Sequence, residues 1–186
     1  SQYQRMGEDL FNGNRLFRET MIQCAEIAEP RLGFNFLAYL YPKDTEHGLD
    51  SFDRPTVVQP SLFAIEYAMA KLLFSFGVKP VVVCGHSAGE IVAATISGIL
   101  SLEDAVSFIA VRARASEECL TEGRMLAVAA SVEVVRNLIE KKQDNDNLWI
   151  ALVNSATDCV VAGAPDAVEA FTVELTTMEI GFKRLS

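Results

Sequence analysis

Apolar and polar positions alternate with two different periods along this 186-residue chain, and the change falls near residue 123. In "GEDLFNGNRLFRETMIQCAEIAE" the pairs Leu10/Phe11, Leu16/Phe17 and Met21/Ile22 recur at helix-like intervals and predict one or two helices. Residues 42–56 are polar and rich in breakers, so they read as a loop. "PSLFAIEYAMAKLLFSFG" is apolar nearly all round, a helix expected to open at Pro60 and to close at Gly77. "VKPVVVCG" reads as a short strand buried on both faces, as in a parallel sheet. A turn at Ser87 leads into a helix of small residues. "SLEDAVSFIAVRARASEECL" forms another, with Ser101 as N-cap and Asp104 three positions later.

Beyond Gly123 the segments shorten. "RMLAVAAS" predicts a strand, "VEVVRNLIEKK" a helix and "QDNDN" a turn. "LWIALVNSA" and "DCVVAGA" predict a hairpin. "PDAVEAFTVELTTM" predicts a helix with Pro165 in its first turn, and "GFKRLS" begins a further strand. This β-α-β-β-α-β order is the ferredoxin-like arrangement. The expected fold is therefore α/β: a larger, incomplete body over residues 1–123, with a parallel sheet in an α/β-hydrolase-like core, and a small ferredoxin-like α+β subdomain over 124–186. The chain is expected to stop inside that subdomain's last strand.

Composition changes this picture little. Half of the residues are hydrophobic, and 25 acidic against 16 basic side chains give a net charge of −9. That balance argues against a nucleic-acid surface and suits a cytoplasmic protein. No uninterrupted apolar run approaches the ~18 residues of a membrane span, and "SQYQRMGEDLF" lacks the layout of a signal peptide. Cys24, Cys84, Cys119 and Cys159 form no CxxC pair, and the two histidines are His47 and His86. No metal site is expected, and the thiols read as free and buried.

Candidate chemistry centres on "VVVCGHSAGEIVAATISG", residues 81–98. Gly-x-Ser-x-Gly between a strand and a helix is the nucleophile elbow. Gly85 and Gly89 would flank Ser87 because bulkier residues clash in so sharp a turn. The helix that follows points its N-terminus at the site and favours developing negative charge. The Ala88 N–H is placed to donate to an oxyanion, and one such donor is worth about 3 kcal/mol in the barrier. A merely structural turn would show the same five residues.

A second signal is Arg112. On its helix, Ala105, Phe108, Ile109, Arg112, Ser116 and Cys119 share a face that is apolar apart from the arginine. Arg114 has Glu117 and Glu118 within reach and reads as a solvated pair. A guanidinium buried without an anion is costly. Either a carboxylate from elsewhere in the fold answers Arg112, or the carboxylate of a ligand does, held by two bonds.

"CGHSAGEIVAA", the arginine 25 positions after Ser87, and "RPTVVQPSLFAIEYAMAKLL" together resemble the malonyl-CoA:acyl carrier protein transacylase family. The likeness is closest to acyltransferase domains of modular polyketide synthases. "SQYQRMGEDLF" resembles the tail of that family's opening Gly-Gln-Gly-Ser-Gln motif, "GRMLAVAAS" and "NSATDCVVAG" its small subdomain, and "GFKRLS" the strand before its catalytic histidine. The resemblance implies that Ser87 attacks the thioester of malonyl-CoA to give an acyl-serine. The phosphopantetheine thiol of an acyl carrier protein would then take the acyl group. Arg112 would clamp the free carboxylate of the extender and Gln59 would line the site beside it. His86 would line the acyl pocket, and the Ala88 N–H would be half of the oxyanion hole. Asn154 matches a family asparagine near the cleft.

No tightly bound cofactor is implied; the expected partners are the carrier protein, neighbouring synthase domains such as the ketosynthase, and malonyl-CoA, with neither nucleic acid nor membrane among them. The family's catalytic histidine and oxyanion glutamine have no counterpart between Ser1 and Ser186, so the chain is expected to be a piece of such a domain, inactive or weakly active alone. His47 would serve as base only if its loop folded over the cleft. Two other readings stay open: an esterase or thioesterase of the α/β-hydrolase type, and a non-catalytic module that docks a carrier protein.

Overall fold

The computed structural model describes residues 2–42, 52–119, 122–141 and 147–185. The chain divides into two compact units, Ser1–Cys119 and Leu120–Ser186.

The first unit is helical throughout its described elements: α1 (Glu8–Gly13), α2 (Arg15–Leu32), α3 (Leu37–Leu40), α4 (Pro55–Ser75), α5 (Ala88–Ile96) and α6 (Leu102–Glu118). The apolar pairs near the N-terminus do form two helices. They divide at Asn14, whose extended backbone stops α1 and whose side chain accepts from the Phe17 N–H to start α2. The buried residues of α2 (Phe17, Thr20, Met21, Cys24, Ala25, Ala28, Leu32) form one stripe at three- and four-residue spacing. That stripe meets Phe63, Ala64 and Ala68 of α4 and Ala105, Ile109 and Ala110 of α6 in a single core. Alanines at the crossings let the helix backbones approach, while Phe17, Phe36 and Phe63 fill the volume between them.

α4 begins earlier than the sequence suggested. Pro55, not Pro60, occupies its first turn, and Pro60 lies buried inside the helix. A proline at the sixth helical position removes one N–H, which a helix of 21 residues held by a core tolerates. α4 is also long and apolar enough to cross a membrane by length and composition. Its Val57, Val58, Phe63, Ala64 and Ala68 are buried in the core of this unit.

The strand expected over "VKPVVVCG" is not formed. Among the described residues of this unit there is no strand, and Val81 and Val82 are 97% and 82% exposed. A strand needs a neighbour for its backbone N–H and C=O groups, and no described segment runs beside this one. The parallel sheet of the sequence reading is thus absent from the described residues. The described sheet is antiparallel and lies in the second unit.

The second unit runs β1 (Arg124–Val128), α7 (Val132–Glu140), β2 (Leu148–Ser155), β3 (Asp158–Gly163), α8 (Pro165–Thr177) and β4 (Phe182–Leu185). The strands order β2-β3-β1-β4, all pairings antiparallel, which is the ferredoxin-like arrangement. β1 alternates: Leu126 and Val128 face Val135, Leu138, Phe171 and Leu175 of the two helices. The turn expected over residues 143–147 falls mostly outside the described residues.

Candidate functional site

The site lies in the first unit, where the N-terminal turns of α4 and α5 meet the C-terminal half of α6. Ser87 sits at the N-cap of α5 with φ 54° and ψ −120°, a backbone region that non-glycine residues avoid. Serines at this position ordinarily turn the hydroxyl onto the helix's own amides. Ser87 makes no such bond. Its Oγ instead accepts from Arg112 Nη2 at 3.2 Å.

The two glycines around the turn differ. A Cβ on Gly85 would lie 2.1 Å from the carbonyl carbon and oxygen of Gly89, closer than any side chain allows. Only glycine fits there. A Cβ on Gly89 would meet nothing nearer than Glu66 Oε2 at 3.5 Å, an ordinary contact. The clash expected at both positions therefore exists at Gly85 alone, because there the returning helix backbone crosses the incoming chain.

Arg112 is partly buried rather than deeply so. The buried stripe of α6 is Ala105, Val106, Ile109, Ala110 and Ala113, and Phe108 is 56% exposed, so the face expected to be apolar is the stripe's solvent-side border. No carboxylate of the described residues answers Arg112 from elsewhere in the fold. Arg112 makes no ion pair among the described residues; its Nη1 donates to Gln59 Oε1 at 2.6 Å and its Nη2 to Ser87. Gln59 Nε2 donates to Ser116 Oγ at 3.4 Å, and Ser116 Oγ donates to the Arg112 carbonyl at 2.9 Å. Two neutral oxygens leave the guanidinium charge uncompensated, so the site is receptive to an anion beside the hydroxyl of a strained serine.

The structure thus brings both Ser87 and Gln59 into hydrogen-bond contact with Arg112. Ala88 is the first residue of α5, where the N–H groups lack intrahelical acceptors. His86 is exposed on the turn, and its carbonyl accepts from the Gly89 N–H. Asn154 lies in the second unit, where its Nδ2 donates to Asp158 Oδ1 at 2.8 Å. His47 lies outside the described residues. No metal-binding cluster occurs among the described residues.

Two contributors were not singled out from sequence. Ser116 was visible as the residue one helical turn after Arg112. Of the two carboxylates within reach of Arg114, Glu118 is the one that pairs with it, at 3.3 Å. Glu117 reaches across to the start of α4. Its Oε1 accepts from Arg54 Nε and Nη2 at 2.9 and 2.7 Å, and its Oε2 from the Thr56 N–H at 3.2 Å and from the Thr56 hydroxyl. Burial pushes this carboxyl up, but the bonds from Thr56 and Arg54 outweigh it and hold it below the usual carboxylate range. A separation of 61 residues hides such a pairing from sequence. It fixes the two helix ends that carry Gln59 and Arg112.

Residues 1–185 match the family model described as "Acyl transferase domain". The chain is 38% identical over 172 residues to the erythronolide synthase EryA2 of Saccharopolyspora erythraea, an alignment covering 92% of this chain and 5% of that protein. Among solved structures, the acyl transferase domain of ZmaA superposes with a TM-score of 0.91 at 33% identity. The acyltransferase domain from module 8 of the salinomycin polyketide synthase does so with 0.89 at 32%. Both cover all of this chain, which spans 43% of each of them. With a family match over nearly its whole length and a strained serine beside an arginine on a fold like theirs, the chain belongs to the acyl transferase domain family.

Proposed function

We propose that this chain carries the acyl-accepting half of an acyltransferase site that moves a malonyl-type extender from coenzyme A to the phosphopantetheine thiol of an acyl carrier protein. The observation that supports it most is the Arg112–Ser87 bond: a cation without a carboxylate partner among the described residues stands 3.2 Å from the hydroxyl of a strained serine. A malonyl thioester carries its free carboxylate one methylene from the reacting carbonyl, which suits that spacing. Ser87 Oγ attacks the thioester carbonyl as its proton passes to a base, and the thiolate of coenzyme A leaves. The acyl-serine then passes its acyl group to the carrier thiol. Arg112 holds the carboxylate with Gln59 aligning it, the Ala88 N–H donates to the oxyanion, and His86 borders the acyl pocket.

Among the described residues, no base bonds to Ser87, so acylation by this chain alone is slow. In this reading, Ser87 stands at the elbow of an α/β-hydrolase-like core, and the exposed Val81 and Val82 hold a strand position that no described strand pairs with. The carrier protein and adjoining synthase domains such as the ketosynthase are its partners.

Incubation with malonyl-CoA, followed by intact mass, tests the proposal. One malonyl group is expected on the wild-type chain and none on Ser87→Ala. Release of free malonate without an adduct would favour the hydrolase reading. A chain that takes up no acyl group and releases no malonate would favour a docking module.

A further inference from the structure

We infer that Ser116 is a positioning residue that fixes which end of the Gln59 amide faces Arg112, and with it the preference for an acyl group ending in a carboxylate; this rests on the clamp reading of Arg112.

A primary amide is a donor at one end and an acceptor at the other. Reversed, Gln59 would press its NH₂ against the guanidinium, donor to donor. In the empty site the charge on Arg112 is enough to choose the right end. A bound carboxylate competes for the same guanidinium, and then the choice depends on what holds the far end of the amide. Ser116 Oγ holds it. Its one proton is committed to the Arg112 carbonyl at 2.9 Å, one turn back on α6, so toward Gln59 the oxygen can only accept. It does so from Nε2 at 3.4 Å, while Oε1 takes Nη1 at 2.6 Å. Gln59 is therefore tied at both ends to one turn of α6. Nη2 is left directed at Ser87, where the ligand's carboxylate arrives.

Ser116 is exposed and its hydroxyl bonds the carbonyl four residues back, a habit that slightly disfavours helix. Alanine is the better helix former, so Ser116→Ala keeps the fold while freeing the amide. Ser116→Thr keeps the hydroxyl.

The experiment titrates the chain with malonyl-CoA and with acetyl-CoA by calorimetry and reads the ratio of the two Kd values, which a purely structural role would not move. Wild type is expected to prefer malonyl-CoA. Arg112→Ala should abolish the preference, and Ser116→Ala should lower it by about two- to tenfold, the worth of one ordinary hydrogen bond. Ser116→Thr should keep it. A preference lost in Arg112→Ala but unchanged in Ser116→Ala overturns the role of Ser116 and leaves the clamp standing. A wild type without preference, or an Arg112→Ala variant that retains it, overturns the clamp and the inference together.

Discussion

Removing Glu117 should loosen the start of α4 from the end of α6. The first N–H groups of a helix need acceptors, and in α4 the Arg54 carbonyl takes those of Val57 and Val58, which leaves that of Thr56. Pro55 has no N–H, and Arg54 at the N-cap provides no side-chain acceptor. Glu117 takes the Thr56 N–H and the Thr56 hydroxyl from a distant helix, acting as a cap supplied in trans. Losing a side-chain cap costs about 1 kcal/mol. The ion pair with Arg54 adds about 0.5 kcal/mol, a small figure because the two side chains are 43% and 29% exposed. Glu117→Ala should therefore cost about 1.5 kcal/mol, or about 6 °C in melting temperature for a unit of this size. Helical circular dichroism on heating measures it.

The isosteric Glu117→Gln isolates the charge. Because this carboxyl titrates below its ordinary value of 4.5 when folded, its contribution is present above that value and fades as pH falls through the lower, folded one. Glu117→Gln should melt below wild type at neutral pH, and the gap should close as pH falls through the lowered, folded titration of this carboxyl. A Glu117→Ala variant that melts with wild type at neutral pH, or a Glu117→Gln gap that persists unchanged in acid, refutes the reasoning.

The two glycines of the turn should respond differently to alanine: Gly85→Ala should cost more than about 3 kcal/mol in urea denaturation, whereas Gly89→Ala should be neutral or stabilising by up to about 1 kcal/mol. Ser61 Oγ is buried without a hydrogen-bond partner, so Ser61→Ala should raise stability by up to about 1 kcal/mol in the same assay. Cys24 is wholly buried and its thiol is pushed up to about 12 by that burial, while Cys84 is exposed. A thiol reagent at mildly alkaline pH should modify Cys84 in the native chain and Cys24 only after denaturation; native labelling of Cys24 at a comparable rate would contradict this.

Periodicity alone determined the second unit in outline, because each of its elements carries its own signal. β1 is a short apolar run whose burial alternates from Leu126 to Val128, Ser131 and Pro165 mark the starts of α7 and α8, and the hairpin joins two apolar runs. The stripe of α2 and the N-cap at Ser101 were legible for the same reason. Local pattern failed where the deciding partner is distant. "VKPVVVCG" has the composition of a buried strand, yet burial comes from neighbours, and without them Val81 and Val82 stand in solvent. The start of α4 was misplaced because two prolines fit a first turn, and the one that fills it lies beside a cap supplied from residue 117.

For the site, sequence named Ser87, Arg112 and Gln59, since a small-residue turn, a lone cation on a helix edge and a family resemblance are all properties of the chain itself. Only the tertiary structure decided that Arg112 bonds to both of the others, that the arginine meets two neutral oxygens and no carboxylate among the described residues, and that Ser116 and Glu117 hold the helices that present them. The reason is directional: a hydrogen bond needs its partners within about 3 Å and aligned, and only packing brings together residues that lie 25 to 63 positions apart along the chain.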